Sequence, residues 1–452
     1  MPDTTINTPK ANKSVNINMC RLVSGKTPDP KHTLAGLNLI NLIKSIEIYE
    51  DIFTTSLSGS ITFQDKYSLS TIFELDGSED LHLAFSVYNP STGKYREYGT
   101  SDAPIVFSMY AQQNRIPVTK GTEQFEIKLV SAEVYGANEY KISKTYKNTF
   151  IEDIIQDIIR NGLSSTKPFV HIDKTKTPIT MTIPFLTPLQ AIKLLCMHGQ
   201  SEQQETNYLF FETLNGFEFR SLRSLIRDAS KKNIPTISQT LSGTRLGRDT
   251  DSYLTADTIE LISGYDMLYP MMHGYFSSTT YAVDILAGVC KKTISKISAP
   301  EYRNRPLLNG VAGTEAMPIY PFVFGDLVNP TSKIFLVPTT EFSYKTSTLR
   351  EKDLYIHDNM IAQTLDGRNR ELISLQLRSL RAVVSGAPEL HAGDIVNIEY
   401  PSSREIDGKK SKDIASGNYL IVSAKHTIIN NGYGEFLYET AIEAGTDSTP
   451  IK

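Results

Sequence analysis

The sequence predicts an α+β protein that is mainly antiparallel β, with β-rich regions at both ends and helices between them. Apolar and polar residues alternate in short runs over residues 14–135 and again over residues 371–442. Alternation with a period of two is typical of strands that bury one face. Between these regions, isoleucines and leucines recur at spacings of three and four, which is typical of helices.

The first β region alternates most clearly near residue 50. Residues 45–50 and 57–63 each alternate by two, and the residues between them favour a turn, which predicts an antiparallel pair. Residues 81–87 and 125–129 alternate in the same way. We therefore expect residues 14–135 to form one antiparallel β unit, a barrel.

Two helices are predicted in the middle. Residues 149–152 (Thr-Phe-Ile-Glu) have the form of a capping box and open an isoleucine stripe that runs to Asn161-Gly162. Residues 187–190 (Thr-Pro-Leu-Gln) have the same form, and Gly199 is expected in the left-handed conformation that ends many helices. Asn215-Gly216 then predicts a two-residue hairpin turn, because such turns need positive φ values.

The remainder divides less regularly. A helix is predicted at 357–370, strands at 371–380 and 394–400, an exposed loop at 402–416, and a hairpin of strands 418–428 and 435–442. The predicted units are a flexible arm (1–13), a first β-barrel (14–135), an α/β linking domain (136–210), a second β-barrel (211–245 and 346–445), an inserted peripheral domain (246–345) and a tail (446–452).

The composition is that of an ordinary globular protein. Of 452 residues, 40% are hydrophobic, and 46 basic against 50 acidic residues give a net charge of −4, which argues against avid nucleic-acid binding. The spacing of the three cysteines excludes a thiolate zinc site and a redox pair, and a chain of this size with an odd number of cysteines needs no disulfide framework. The polar start predicts no signal peptide, and no apolar run approaches the roughly 18 residues of a membrane helix, so no membrane insertion is expected.

No motif carries convincing chemistry. Residues 24–27 (Ser-Gly-Lys-Thr) end like a phosphate-binding loop, but Cys20 replaces its first glycine and prolines follow. Cys196 is expected as a small buried residue, the acidic pair 152–153 as the first turn of a helix, and His391 as part of a turn without co-ligands. We therefore predict no catalytic, cofactor-binding or metal-ligating residue, no cofactor and no enzymatic activity.

Several stretches carry a resemblance to a known family. They are SIEIYEDIFTTSLSGSITFQD at 45–65, ELDGSEDLHLAFSV at 74–87, ELHAGDIVNIEYP at 389–401, SGNYLIVSAKHTI at 416–428 and YGEFLYETAIEA at 433–444. Together, and in this order, they resemble the baseplate hub proteins of contractile-tailed bacteriophages and the hub part of late-control and VgrG-type spikes. Residues 142–159, 185–196 and 208–222 look like the segment that links the two barrels of such hubs.

The resemblance implies two barrels similar to tail-tube subunits in each chain. A homotrimer would then form a pseudo-sixfold ring that joins the sixfold tail tube to the threefold central spike and encloses the DNA channel without specific DNA binding. Further implied partners are the tape-measure protein and the baseplate wedge proteins. The implied location is the tail baseplate of the virion, after assembly in the host cytoplasm.

Ring contacts are expected on strands whose open edges must be covered. The candidates are Ile46, Ile48, Leu57, Ile61, Phe63, Tyr419, Ile421, Phe436 and Tyr438. Two alternatives stay open beside the structural hub. One is a hub that degrades peptidoglycan, and the other is the hub or spike of a contractile injection system.

Overall fold

The structure is a computed structural model that describes most of the chain. The described residues are 14–24, 39–66, 75, 77–89, 92–203, 205–230, 234–239, 253–285, 288–296, 307–310, 316–319, 333–338, 342–344, 354–356, 361–400, 405–406, 409–410, 413–432 and 434–450. The predicted arm, residues 25–27 of the loop-like motif and most of the loop predicted at 402–416 lie outside these residues.

Strands dominate the described residues. In chain order they are β1 (Ser14–Ser24), β2 (Ile43–Asp51), β3 (Ser58–Asp65), β4 (Glu79–Asn89), β5 (Lys94–Tyr98), β6 (Ile105–Thr119), β7 (Thr122–Ser131), β8 (Ile142–Thr149), β9 (Phe169–Ile172), β10 (Ile179–Leu186), β11 (Tyr208–Thr213), β12 (Gly216–Ser221), β13 (Thr236–Gln239), β14 (Tyr253–Ser263), β15 (Ser277–Asp284), β16 (Val289–Lys296), β17 (Ala316–Pro318), β18 (Lys333–Pro338), β19 (Phe342–Tyr344), β20 (Leu354–Ile356), β21 (Arg378–Ser385), β22 (Ile395–Glu399), β23 (Glu405–Ile406), β24 (Lys409–Lys410), β25 (Gly417–Asn430), β26 (Phe436–Thr446) and β27 (Ser448–Pro450).

Helices are fewer among the described residues. They are α1 (Ala132–Glu139), α2 (Ile151–Asp157), α3 (Pro188–His198), α4 (Leu222–Arg227), α5 (Leu268–Met272) and α6 (Ile361–Leu375). Helix α2 continues into a π-helical turn at Ile158–Gly162. The predicted fold class, mainly antiparallel α+β, is confirmed.

Within the described residues, eight strands close a first barrel. Following the hydrogen-bonded neighbours, the order is β26, β1, β4, β6, β7, β3, β2 and β25, which pairs again with β26. All of these pairings are antiparallel, and the predicted pair near residue 50 is confirmed as β2 and β3. Inward side chains such as Phe63, Phe85 and Phe107 form one apolar cluster.

Six of the described strands close a second barrel. Their order is β25, β22, β13, β14, β21 and β26, which pairs again with β25. Strand β13 pairs in parallel with both neighbours, whereas the other pairings are antiparallel. Its core contains Ile237, Val396, Ile421 and Ile442.

Strands β25 and β26 belong to both barrels. Residues 423–429 of β25 pair with β2, whereas residues 417–420 pair with β22. In β26, residues 436–437 pair with β1 and residues 439–446 pair with β21. Two continuous strands therefore join the barrels, instead of the flexible linker that usually separates domains.

The linking segment packs α2 and α3 against the β11–β12 hairpin. The predicted isoleucine stripe is buried there together with Leu195, Phe210 and Phe219, and Cys196 is buried as expected. The capping box at 187–190 is confirmed, because the Thr187 side chain accepts from the backbone N–H of Gln190. The predicted hairpin is confirmed, but its turn lies one residue earlier: Leu214 and Asn215 connect the strands, and Gly216, with φ +136°, begins β12.

The capping box predicted at 149–152 is wrong. Thr149 ends β8, and α2 begins at Ile151 after Phe150, without a side-chain cap. The Glu152 carboxylate instead accepts hydrogen bonds from the backbone N–H and the hydroxyl of Thr175. Thr175, more than twenty residues away, therefore binds the Glu152 side chain that the capping box would have used.

Gly199 is not left-handed, since its φ is −65° and its ψ is 131°. A Cβ at this position would lie 2.7 Å from the ring of Tyr208. Close packing of the helix end against β11 therefore requires the glycine, not a positive φ.

The strand predicted at 371–380 is also wrong, because α6 runs on to Leu375 and β21 begins at Arg378. The helix predicted at 357–370 is confirmed over its described part, from Ile361, and it buries the polar residues Thr364 and Arg368 as well as apolar residues such as Ile373. The Arg368 guanidinium donates to the backbone carbonyls of Cys196 and Gly199 at 3.4 Å, at the end of α3.

Two segments lie differently from their predicted units. Strand β14, within the predicted insertion, pairs with β13 and β21 in the second barrel. Residues 446–448, predicted as a tail, are buried, and β27 pairs with β17. The Asn309 amide donates to the backbone carbonyl of Ser448 at 2.9 Å, which ties this end to the described part of the insertion.

Candidate functional site at the barrel junction

The nine side chains predicted as ring contacts lie in the interior of the chain. Each is at most 8% exposed. Seven pack in the first barrel (Ile46, Ile48, Leu57, Ile61, Phe63, Phe436 and Tyr438), and two pack in the second (Tyr419 and Ile421). Strands β2, β3, β25 and β26 also have hydrogen-bonded neighbours on both sides. The prediction is corrected: these residues build and join the barrels, so a partner chain must use other surfaces.

A buried carboxylate marks the junction. Glu50 lies near the end of β2 on the same inward face as Ile46 and Ile48, and it is 1% exposed. Its Oε1 accepts the backbone N–H of Leu214 at 2.7 Å, and its Oε2 accepts that of Ala392 at 2.9 Å. One side chain of the first barrel thus binds the β11–β12 hairpin and the turn that leads into β22.

Two histidines face this carboxylate. His391 Nδ1 lies 3.0 Å from Glu50 Oε1, and His426 Nε2 lies 3.5 Å from the same oxygen. The opposite nitrogen of each ring meets a tyrosine hydroxyl. Tyr98 lies 3.3 Å from His391 Nε2, and Tyr438 lies 2.7 Å from His426 Nδ1.

The surroundings shift the pKa values of the two imidazoles in opposite directions. Burial lowers the pKa of His391, but the adjacent Glu50 charge outweighs burial, so the pKa of His391 is raised. Burial lowers the pKa of His426, and the neighbouring His391 charge adds to this effect, so His426 is neutral near pH 7. Burial alone would raise the pKa of Glu50, yet the imidazoles hold it well below its usual value. The junction therefore favours the charged form of His391 over the charged form of His426.

The loop before β22 adds further contacts between the barrels. The Tyr98 hydroxyl donates to the Pro388 carbonyl, and the Asn89 amide donates to the Glu389 carboxylate at 3.2 Å. Arg96 reaches the β11–β12 turn, where it donates to the Asn215 side chain at 2.8 Å. Polar contacts thus connect β4 and β5 of the first barrel to the loop before β22 and to the β11–β12 turn.

A second buried cluster fixes the linking segment to the first barrel. Lys167 Nζ lies 2.6 Å from both a Glu133 oxygen and a Glu212 oxygen. Glu212 also accepts the backbone N–H of Leu57 at 3.1 Å. Burial raises the pKa of Glu212, while the two carboxylates outweigh burial at Lys167 and raise its pKa. The lysine therefore stays charged between its two partners.

Sequence reasoning missed the junction cluster because its members lie far apart in the chain. His391 was expected to lack co-ligands, yet the structure brings Glu50 and His426 to it, and their ligand atoms all lie within 4.8 Å of one another. The alternation of inward and outward residues along β2 and β25 contained a signal for this cluster. Glu50 continues the inward series of Ile46 and Ile48, and His426 lies between the inward residues Ala424 and Ile428.

Comparison with known proteins identifies the fold. The tail protein from Neisseria meningitidis MC58 superposes with a TM-score of 0.51 at 9% identity, covering 95% of this chain and 96% of that one. The chain has a tail-protein fold. The expected resemblance to tail hub proteins is confirmed at the level of the fold.

Other solved structures align at lower scores. The 43 kDa tail protein of prophage MuSo2 from Shewanella oneidensis aligns with a TM-score of 0.46 at 10% identity, covering 90% of this chain and 94% of that one. A chain of the Francisella PdpA–VgrG complex aligns with a TM-score of 0.44 at 13% identity, covering 97% of this chain and 59% of that one. No protein-family model and no curated protein matches the sequence.

Apolar surface occurs at the far end of the β6–β7 hairpin. Tyr110, Ile116 and Val118 on β6 are about half exposed, and residues 112–119 lie on the surface throughout.

Among the described residues, none of the helices is long and apolar enough to cross a membrane.

Proposed function

We propose that the protein is the structural baseplate hub of a contractile phage tail. Three chains form a pseudo-sixfold ring that joins the sixfold tail tube to the threefold central spike and encloses the DNA channel. The observation that carries the proposal is the pair of closed barrels in one chain, joined by the shared β25–β26 hairpin. Three such chains supply six barrels, which reconciles sixfold and threefold neighbours.

A rigid pair of barrels suits this role. A hub transmits force between tube and spike, so its two barrels must keep their relative angle. Continuous strands and the buried contacts of Glu50 resist hinge motion better than a linker would. The two barrels differ in strand number, so the ring symmetry is approximate rather than exact.

The contacts between chains lie on the β6–β7 hairpin. Its apolar side chains Tyr110, Ile116 and Val118 are exposed within one chain, whereas the nine originally expected residues are buried. Exposed apolar residues grouped on a projecting element are typical of interaction sites. The tail tube, central spike, tape-measure and wedge proteins bind the remaining faces of the ring.

The ring passes DNA without gripping it and has no enzymatic activity of its own. The net charge of −4 supports a neutral-to-acidic lumen, since a strongly basic lining would bind phosphates. A cell-wall zymogram tests whether the chain has enzymatic activity. A cleared zone from the purified chain would favour the peptidoglycan-degrading hub instead.

Negative-stain images of the purified chain test the ring directly. We expect threefold particles with six lobes and a central opening, and their loss in an Ile116→Glu, Val118→Glu double variant. The matched control is Gln113→Glu, a polar exposed position of the same hairpin. Compact particles without an opening would contradict the ring. Rings that survive the double variant unchanged would contradict the proposed interface.

A further inference from the structure

The junction cluster has the composition of a metal site. Glu50, His391 and His426 supply one carboxylate and two imidazoles, and none is more than 4% exposed. Two nitrogen ligands and one oxygen ligand are a set that zinc and related divalent transition metals accept. These residues come from β2, from the turn before β22 and from β25, so an ion here would bind to both barrels.

The spacing of the ligand atoms fits one ion. Glu50 Oε1 lies 3.0 Å from His391 Nδ1 and 3.5 Å from His426 Nε2. Tetrahedral ligands about 2.0–2.1 Å from zinc lie roughly 3.3 Å from one another. These two distances lie on either side of that value, and the two imidazole nitrogens lie within 4.8 Å of each other, so side-chain shifts can bring all three atoms to one ion.

One ligand atom has no other partner. His426 Nε2 is buried, makes no hydrogen bond among the described residues and points toward Glu50. Buried polar atoms in folded proteins nearly always have a hydrogen-bond partner, so this nitrogen needs an explanation. The Glu50–His391 ion pair satisfies its own atoms but leaves this one unsatisfied.

The outer contacts also match those of metal ligands. Imidazoles that bind metals usually donate their second N–H to an oxygen, which fixes the ring. Tyr98 and Tyr438 place a hydroxyl oxygen beside the second nitrogen of His391 and His426, respectively. Because the Tyr98 hydroxyl proton goes to the Pro388 carbonyl, its oxygen is free to accept from His391.

Glu50 keeps room for an ion. The backbone N–H groups of Leu214 and Ala392 use one acceptor position on each carboxylate oxygen. An ionised carboxylate has about four such positions. These two backbone contacts hold the oxygens in place, and the ion replaces the proton between Glu50 and His391.

We propose that Glu50, His391 and His426 bind one divalent transition-metal ion of the zinc class, which clamps the two barrels at their junction. All three ligands are buried, and they come from elements of both barrels, so the ion would hold the barrels together. A fourth coordination position is left for a further small ligand. This inference does not depend on the proposed function, since it concerns one chain.

Metal content and thermal stability of the full chain, without a histidine tag, test the site. Because the site is sealed, zinc is supplied during expression, and metal is counted by mass spectrometry after dialysis against a weak chelator. We expect one zinc per chain and a melting temperature that falls after stripping with a strong chelator in mild denaturant and refolding. Refolding with zinc should restore it.

Three variants separate the site from general effects. His426→Gln should reduce bound zinc at least tenfold, as expected for a lost ligand. His171→Gln is the control, because His171 is exposed and lies outside the cluster. If His426→Gln fails to fold, Tyr438→Phe, which removes only the outer hydroxyl, should weaken zinc retention. The proposal would be overturned by less than one zinc per chain together with the same melting temperature in zinc and in chelator. It would also be overturned if both His426→Gln and Tyr438→Phe retained zinc as well as the wild type does. Either result would leave a proton-bridged pair of Glu50 and His391.

Discussion

Glu50 and His391 lie 341 positions apart in the chain, yet Glu50 Oε1 and His391 Nδ1 are 3.0 Å apart in the buried junction. The contact exists because β2 belongs to the first barrel, while the turn carrying His391 leads into the second. A buried ion pair contributes little net stability by itself. Its value here lies in fixing how the barrels meet.

Removing the Glu50 charge should therefore be costly. Glu50→Gln removes one partner of the buried Glu50–His391 pair, and a change of this kind costs about 3–5 kcal/mol in comparable cases. The control is Glu47→Gln on the same strand, whose partly exposed carboxylate pairs with Lys425 and should cost under about 1 kcal/mol. Urea unfolding of both variants measures the difference. Equal losses would show that the junction charge has no special role.

The Lys167 cluster should behave as a coupled unit. Lys167→Met leaves Glu133 and Glu212 facing each other without a cation, so we expect a loss of about 3–5 kcal/mol. Adding Glu212→Gln removes the buried charge and should recover part of that loss. A double-mutant cycle from chemical unfolding measures the coupling. Strictly additive effects would mean that the three groups act independently.

Glu218 should make stability depend on pH. Burial raises its pKa to about 7 from the usual 4.5, with Asp394 and Glu50 adding to the effect, and Arg220 and His391 opposing it. The unfolded chain releases this proton near pH 4.5 but the folded chain only near pH 7, so stability is lost as pH rises through that window.

Glu218→Gln should remove this loss. We expect little change in the free energy of unfolding at pH 4, and a gain of up to about 3 kcal/mol at pH 8. Unfolding of the wild type and the variant at both pH values gives the comparison. A gain of the same size at both would mean that ionisation of Glu218 is not the cause.

The two Thr-x-x-Glu/Gln motifs should respond differently to the same change. Thr187→Ala removes a real helix cap and should cost about 1 kcal/mol. Thr149 caps nothing and donates only to the Lys147 carbonyl, so Thr149→Ala should stay within about 0.5 kcal/mol. Thermal unfolding distinguishes them, and the reverse order would contradict the assigned caps.

The two Thr-x-x-Glu/Gln motifs illustrate which features can be predicted from the sequence. Alternation by two predicted β2 and β3 and their pairing, and Asn215-Gly216 predicted its hairpin, because both signals are local. Thr149 failed because Glu152 has a stronger partner in Thr175. The end of helix α6 was misplaced because Leu372, Ile373 and Leu375 form a short apolar run, which fits a strand as well as a helix.

The closure of the two barrels could not be predicted from the sequence. That β25 and β26 serve two barrels depends on which strands meet along their length, and no local pattern specifies that. The same holds for the junction cluster, whose three members come from separate strands or turns. A carboxylate at an inward position of an alternating strand, as at Glu50, was the available sign that a buried partner exists.

The mass of the assembly in solution tests the central claim most directly. Multi-angle light scattering of the purified chain over a dilution series should give three times the chain mass of 50.5 kDa. That result would match three chains supplying six barrels around one opening. A mass that stays at one chain throughout the series would contradict the hub.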